Sequence, residues 1–145
     1  MKTEEIQNLF QKFEQITTEI EGVEYWSARE LQVLLGYSKW ENFLKVIEKA
    51  KLACENAGEK TPYHFPNVRK MIKVGKGTEK QIDDTLLTRY ACYLIAQNGD
   101  ARKIEIAFAQ TYFAVQTRRA EIVEQRLLDY EGSSHIVVES KNIST

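Results

Sequence analysis

The stretch Trp26–Ala53, WSARELQVLLGYSKWENFLKVIEKAKLA, leaves its backbone few choices. Ser27-Ala-Arg-Glu30 is a capping box: a hydroxyl to cap the first turn, and a carboxylate three residues on that can reach back. Trp26 before the cap and Leu31 after it suit a hydrophobic staple. Ser38-Lys-Trp-Glu41 repeats the box, and Gly36 between them can take the left-handed conformation that ends a helix. The segment therefore reads as a helix over 28–35, a tight turn, and a second helix over 39–57 stopped by Gly58. That is a helix-turn-helix shape whose second helix is the candidate reader of a partner.

At 100° per residue, Trp40, Phe43, Leu44, Ile47, Ala50 and Cys54 fall on one face of the second helix. Ser38, Asn42, Lys45 and Lys49 fall on the opposite one. An Asn/Lys strip facing out suits contact with phosphates and base edges. The alternative is an ordinary solvated face, with Glu41, Glu48 and Glu55 offsetting the lysines.

Charge is unevenly distributed. The chain carries a net −1 over its 145 residues. Residues 39–89, however, hold eleven basic and seven acidic side chains, while 1–38 hold three basic and seven acidic. A polyanion would prefer the middle third, although the excess there is modest. At this length one domain with a real core is the simplest organisation. No apolar run approaches the ~20 residues that span a bilayer, and no signal-peptide core opens the chain, so a cytoplasmic protein without a membrane partner is expected. Cys54 and Cys92 sit on apolar helix faces and read as buried thiols of a reducing compartment.

Residues 3–21 show helical spacing of Ile6, Leu9, Phe10, Phe13, Ile16 and Ile20, and predict an N-terminal amphipathic helix segment over 1–22. Glu21-Gly22 marks a turn, and 23–26 a short strand. Residues 58–67, with both prolines, read as a loop, and His64 within it as a packing or surface residue. Residues 68–82 predict a β-hairpin turned by Gly75-Lys76-Gly77 and studded with Arg69, Lys70, Lys73, Lys76 and Lys80. It reads either as a wing that lies on DNA or as an edge hairpin whose lysines discourage strand association. Asp83-Asp84-Thr85 predicts the start of a helix over 86–97, apolar on most sides and the buried centre of the fold. For the acid pair, helix capping outweighs Mg²⁺ binding. Asn98-Gly99-Asp100 ends that helix, and one long helix over 101–129 follows. Its Ile104, Phe108, Tyr112 and Phe113 offer more apolar surface than one packing partner needs, so a homodimer through the helix starting at Ala101 is expected. Residues 131–145 show no helical pattern and are expected to be a loose tail with a short strand at 136–138.

The runs YWSARELQVLLGYSKWENFLKVIEKAKLACENAG and DDTLLTRYACYLIAQNGDARKIEIAFAQTYFAVQTRRAE resemble the DNA-damage-inducible protein D family, grouped with the phage antirepressor, or BRO N-terminal, domains. The likeness covers about Tyr25 to Glu121 and is most specific in RYACYLIAQNGD and QTYFAVQTRR. It implies an α+β domain over 23–130 of prophage or viral origin, with a DNA-linked regulatory role in the bacterial damage response, and does not imply an enzyme. Family members continue after the TRRAE run into a longer charged helical region, where this chain carries an unrelated tail.

The expected fold is thus α+β and mostly helical: a helix-turn-helix-like pair, a β-hairpin and a long C-terminal helix. The expected function is regulation by DNA binding through Asn42, Lys45, Lys49, Arg69, Lys70, Lys73 and Lys76. The alternative is a protein-binding antirepressor or inhibitor that engages a repressor or recombination protein without touching DNA. No zinc-spaced Cys/His cluster, Gly-rich phosphate loop or Ser/His/Asp grouping can be assembled from the sequence, so no catalytic residue, metal or cofactor is expected.

Overall fold

The structure is a computed structural model and describes residues 3–114. Helix α1 (Thr3–Gln15) leads into strands β1 (Thr17–Ile20) and β2 (Val23–Ser27), then helices α2 (Ala28–Leu34) and α3 (Trp40–Asn56). A single-turn helix α4 (Thr61–His64), strands β3 (Asn67–Val74) and β4 (Thr78–Leu87) and helix α5 (Arg89–Gln97) follow. A sixth helix, α6, occupies 104–114 of the described residues. The strands form one antiparallel sheet in the order β1-β2-β4-β3. The class is α+β, as expected.

Several boundaries fall elsewhere than the sequence reading put them. The N-terminal helix stops at Gln15 rather than 21, because Ile16-Thr17-Thr18 is a β-branched run that favours a strand. Glu21 and Gly22 both have positive φ (50° and 82°), the mirror-image turn that matches the twist of a two-residue hairpin. Ile20 therefore pairs with Val23 across β1 and β2 instead of continuing a helix face.

Ser27 caps α2 by accepting the Glu30 N–H at 3.3 Å. Gly36 (φ 80°) ends α2 in a Schellman closure, with Tyr37 N–H bonding Gln32 C=O at 3.0 Å and Gly36 N–H bonding Val33 C=O at 3.1 Å. Gly58 ends α3 in the same way. The second capping box does not form. The residue before α3 is Lys39, extended at φ −117°, and no side chain caps the helix. The closure at Gly36 consumes the chain through Tyr37, so Ser38 lies one residue outside capping reach.

The 58–67 loop contains α4, nucleated by a proline in its first turn. Asp83, Asp84 and Thr85 belong to β4 rather than starting a helix. Leu86 and Leu87 pair with Ser27 and Trp26, and the ladder holds the chain extended until Thr88. Thr88 then caps α5, accepting the Ala91 N–H at 3.2 Å, so the helix begins at Arg89 rather than 86. The last helix begins at 104 rather than 101, because the Asp100 carboxylate takes the Arg102 N–H at 3.0 Å and turns the chain first. Its expected continuation to 129, Arg118-Arg119, the 131–145 tail and the 136–138 strand lie outside the described residues.

The core gathers Phe13, Trp26, Leu31, Leu35, Phe43, Ile47, Leu87, Ile95, Ile106 and Phe113. On α5 only Gln97 is exposed, which agrees with a buried centre, although Leu94 is half-buried and Ala91, Cys92, Ile95 and Ala96 carry the burial. Both cysteines are free and buried, and burial pushes both thiols up, Cys92 furthest. An aromatic cluster joins α1, β2 and α6. Phe13 meets Phe108, Tyr112 and Phe113 at 5.2, 5.4 and 5.8 Å, and Trp26 meets Phe113 edge-on at 5.3 Å. The α6 rings Phe108, Tyr112 and Phe113 are thus packed on α1 within the same chain.

Candidate nucleic-acid interface

The hairpin is pinned to the helical pair by one buried carboxylate. Asp84, near the root of β4, accepts the Ser27 hydroxyl, the Arg29 N–H at 3.1 Å and the Thr85 N–H at 2.8 Å. The Ser27 oxygen thus caps α2 and bonds the strand at once. Arg29 extends the joint: its Nε donates to Asp83 C=O at 2.7 Å, and its guanidinium lies over the Trp40 ring at 4.3 Å. A side chain in the first turn of α2 therefore fixes the hairpin root and the start of α3 together. Between them opens a cleft of about 650 Å³ bordered by Arg29, Trp40, Leu44, Asn67, Arg69 and Asp83.

Helix α3 divides as its wheel dictates. Phe43, Ile47, Ala50 and Cys54 are buried, whereas Asn42, Lys45 and Lys49 are exposed. Trp40 is half-buried and Leu44 exposed, both on the flank at the cleft. The strip Asn42, Lys45, Lys49 lies roughly 150° round the helix from that flank. The structure accordingly brings the hairpin root together with Trp40 and Leu44 and leaves the Asn/Lys strip on another side of α3. Neither Lys45 nor Lys49 has an ion-pair partner among the described residues.

The basic residues of the hairpin do not share one face. Register places Arg69 opposite Asp83, Met71 opposite Gln81 and Lys73 opposite Glu79. The other face pairs Lys70 with Ile82, Ile72 with Lys80 and Val74 with Thr78. Arg69 is engaged where it stands, with Asp83 at 3.8 Å and Gln81 at 3.4 Å. Lys76 sits at the tip between Gly75 and Gly77, whose φ values of 65° and 74° close the loop. Lys80, absent from the sequence-based set, is an exposed cation without a partner among the described residues. A three-residue loop at Gly75–Gly77 fixes the register, so the split between faces was available from the sequence by pairing outward from that loop.

His64, expected as a packing residue, packs against Tyr63 and Tyr90 with ring centroids 5.0 and 4.9 Å away. Its Nδ1 lies 2.7 Å from the Thr88 hydroxyl and its Nε2 3.6 Å from Glu59. Sequence separation hid this hydroxyl–imidazole–carboxylate grouping. Thr88 is buried and already caps α5, so the grouping ties α4 to α5. Among the described residues no three His, Cys, Asp or Glu side chains gather as a metal would require, and no helix is long and apolar enough to cross a membrane.

A helical pair locked through one carboxylate to a basic antiparallel hairpin, over a core shared with a flanking helix, defines a small α+β module. The chain matches the BRO family, N-terminal domain, over residues 13–114, nearly the whole of the described fold, and belongs to that family. It is also similar to the DNA damage-inducible protein D of Escherichia coli (strain K12), with 48% identity over 115 residues, or 79% of this chain. The match covers 42% of that relative's length, so the chain spans less than half of it. No solved structure matches significantly. The family resemblance carried by the two long runs is thereby borne out.

Proposed function

We propose that this protein is a cytoplasmic regulator of the bacterial damage response or of a prophage, and that it acts by binding DNA rather than by catalysis. In this reading α2, the Gly36 turn and α3 work as a helix-turn-helix-like unit. Asn42 reads base edges, Lys45 and Lys49 hold phosphates, and the basic hairpin adds backbone contacts. The observation that carries it is the state of the cations. Arg29, Arg69, Arg89 and Arg102 are engaged within the fold, while Lys45 and Lys49 stand exposed on a rigid 17-residue helix without partners among the described residues. The similarity to the DNA damage-inducible protein D of Escherichia coli supports the damage link.

The test is the salt dependence of binding to a labelled duplex. Each phosphate contact contributes about 0.9 to the slope of log affinity against log salt. Lys45→Gln with Lys49→Gln is expected to flatten that slope by up to about 2 and to weaken all sequences alike. Asn42→Ala is expected to lose about 1–3 kcal/mol of discrimination between sites and leave the slope in place. A second reading, an antirepressor that engages a protein, is favoured by the β3 edge, where Met71 and Val74 are exposed. It expects no shift of duplex or single-stranded DNA at low salt, and a protein partner held at high salt.

A further inference from the structure

The β3–β4 ladder sorts the charges of the hairpin by face. Residues opposite one another in an antiparallel pair project to the same side of the sheet. One face carries Arg69, Met71 and Lys73 across from Asp83, Gln81 and Glu79, so each of its two cations has an acid opposite it in register. The other carries Lys70, Ile72 and Val74 across from Ile82, Lys80 and Thr78, two cations with no acid between them. Asp84 belongs to that face by register, but it is buried at the root and turned onto Ser27, Arg29 and Thr85. From Arg69 to Ile82 no residue is buried, and none belongs to the core cluster or packs on it.

We propose that the hairpin meets duplex DNA with the Lys70/Lys80 face alone, and that Arg69 and Lys73 on the other face do not touch it. This rests on the DNA-binding reading above and names the surface it uses. Lys70 and Lys80 stand diagonally across the ladder, roughly 7–8 Å apart at the backbone. Across the ladder Lys70 faces Ile82 and Lys80 faces Ile72, so the two ammonium groups flank a short apolar band. A face of this kind neutralises phosphates. The hairpin has no aromatic side chain from 67 to 87, so it offers no platform on which the bases of a single strand could stack. On the opposite face Arg69 is paired with Asp83 at 3.8 Å, and Lys73 has the acid Glu79 across from it in the ladder.

The experiment titrates the full chain against a fluorescent random-sequence duplex at a series of salt concentrations, with a melting curve for each variant to confirm folding. Lys70→Gln with Lys80→Gln is expected to flatten the log–log slope by up to about 2, at about 0.9 per contact. Two gain variants test the face directly. Thr78→Lys, on the Lys70/Lys80 side, is expected to steepen the slope by about 0.9, whereas Gln81→Lys, on the other side, leaves it unchanged. If the wild-type chain binds duplex but Lys70→Gln with Lys80→Gln keeps its slope, or Gln81→Lys steepens it as much as Thr78→Lys, the face assignment is overturned and DNA binding stands. Tighter binding of a single-stranded oligonucleotide that ignores Lys70 and Lys80 also overturns it. A chain that binds no DNA at low salt removes both readings together.

Discussion

Around Phe13, rings from α1, β2 and α6 converge until Phe13, Trp26 and Phe113 have no exposed surface. In the β3–β4 hairpin, the fourteen residues from Arg69 to Ile82 include not one that is buried. At the centre of the first region these three rings are out of water, where burial contributes most. The second has a full backbone ladder, alternating half-buried and exposed side chains, and cations. Hydrogen bonds that merely replace those to water add little net stability. A hairpin that long, with so little burial, is therefore maintained by its joint to the core.

The widest gap between the two regions should appear on truncating Trp26. Its ring is fully buried against Phe113, and its Nε1 donates to Phe13 C=O at 3.1 Å. Trp26→Ala is expected to cost about 3–5 kcal/mol, read as a large drop in denaturant midpoint. Next comes the joint. Asp84→Ala strands the Ser27 hydroxyl and the Arg29 N–H together, and a cost of about 2–3 kcal/mol is expected. A variant as stable as the wild type would show that the hairpin is held by its ladder alone, and the contrast drawn above would fail at its hinge.

The core was more legible than the site. Ser27, Gly36, Gly58 and the apolar stripe of α3 act locally, within one or two helical turns, and their signals survive without knowledge of the rest of the chain. The errors arose where a distant partner decided. Asp83-Asp84-Thr85 carries every mark of a helix start, yet Asp84 is claimed by Ser27, 57 residues away, and Leu87 by Trp26. Ser38 has a cap's chemistry, but the closure at Gly36 places it one residue early. Phe108 and Tyr112 looked unpartnered because α1 lies almost a hundred residues upstream. At the interface, exposure of the Asn/Lys strip followed from periodicity. That Arg29 bridges α2, α3 and the hairpin root did not, since it depends on how three elements meet.

An alkaline titration sharpens the core side of the comparison. Burial and the hydrogen bond to Glu14 hold the Tyr112 phenol well above its ordinary value of 10.0. Between the unfolded and folded values the unfolded chain gives up this proton and the folded chain keeps it. The stability contributed is therefore complete below about pH 10 and is lost as pH rises through the folded value, at no more than about 1.4 kcal/mol per pH unit. Stability measured from pH 9 to 11 is expected to fall in the wild type and to fall less in Tyr112→Phe. Equal slopes would mean that the phenol reaches water more freely than its place in the cluster implies.

The smallest effect belongs to the hairpin. Met71 is 52% exposed on the edge strand, opposite the exposed Gln81. Threonine there gives up little burial and has the β-branched shape that a pleated edge favours. Met71→Thr is therefore expected to move the unfolding free energy by no more than about 0.5 kcal/mol. Hydrogen exchange on the same variant gives a finer reading. Amides of the rungs nearest the tip, at Ile72–Val74 and Thr78–Lys80, open locally and exchange faster than those of α5, in wild type and variant alike. Should Met71→Thr cost more than about 1 kcal/mol, or should the tip rungs be protected as well as α5, the distal hairpin must be packed on another part of the protein. The Lys70/Lys80 face, where Lys70 is already half-buried, would then be too covered for its proposed contact with DNA.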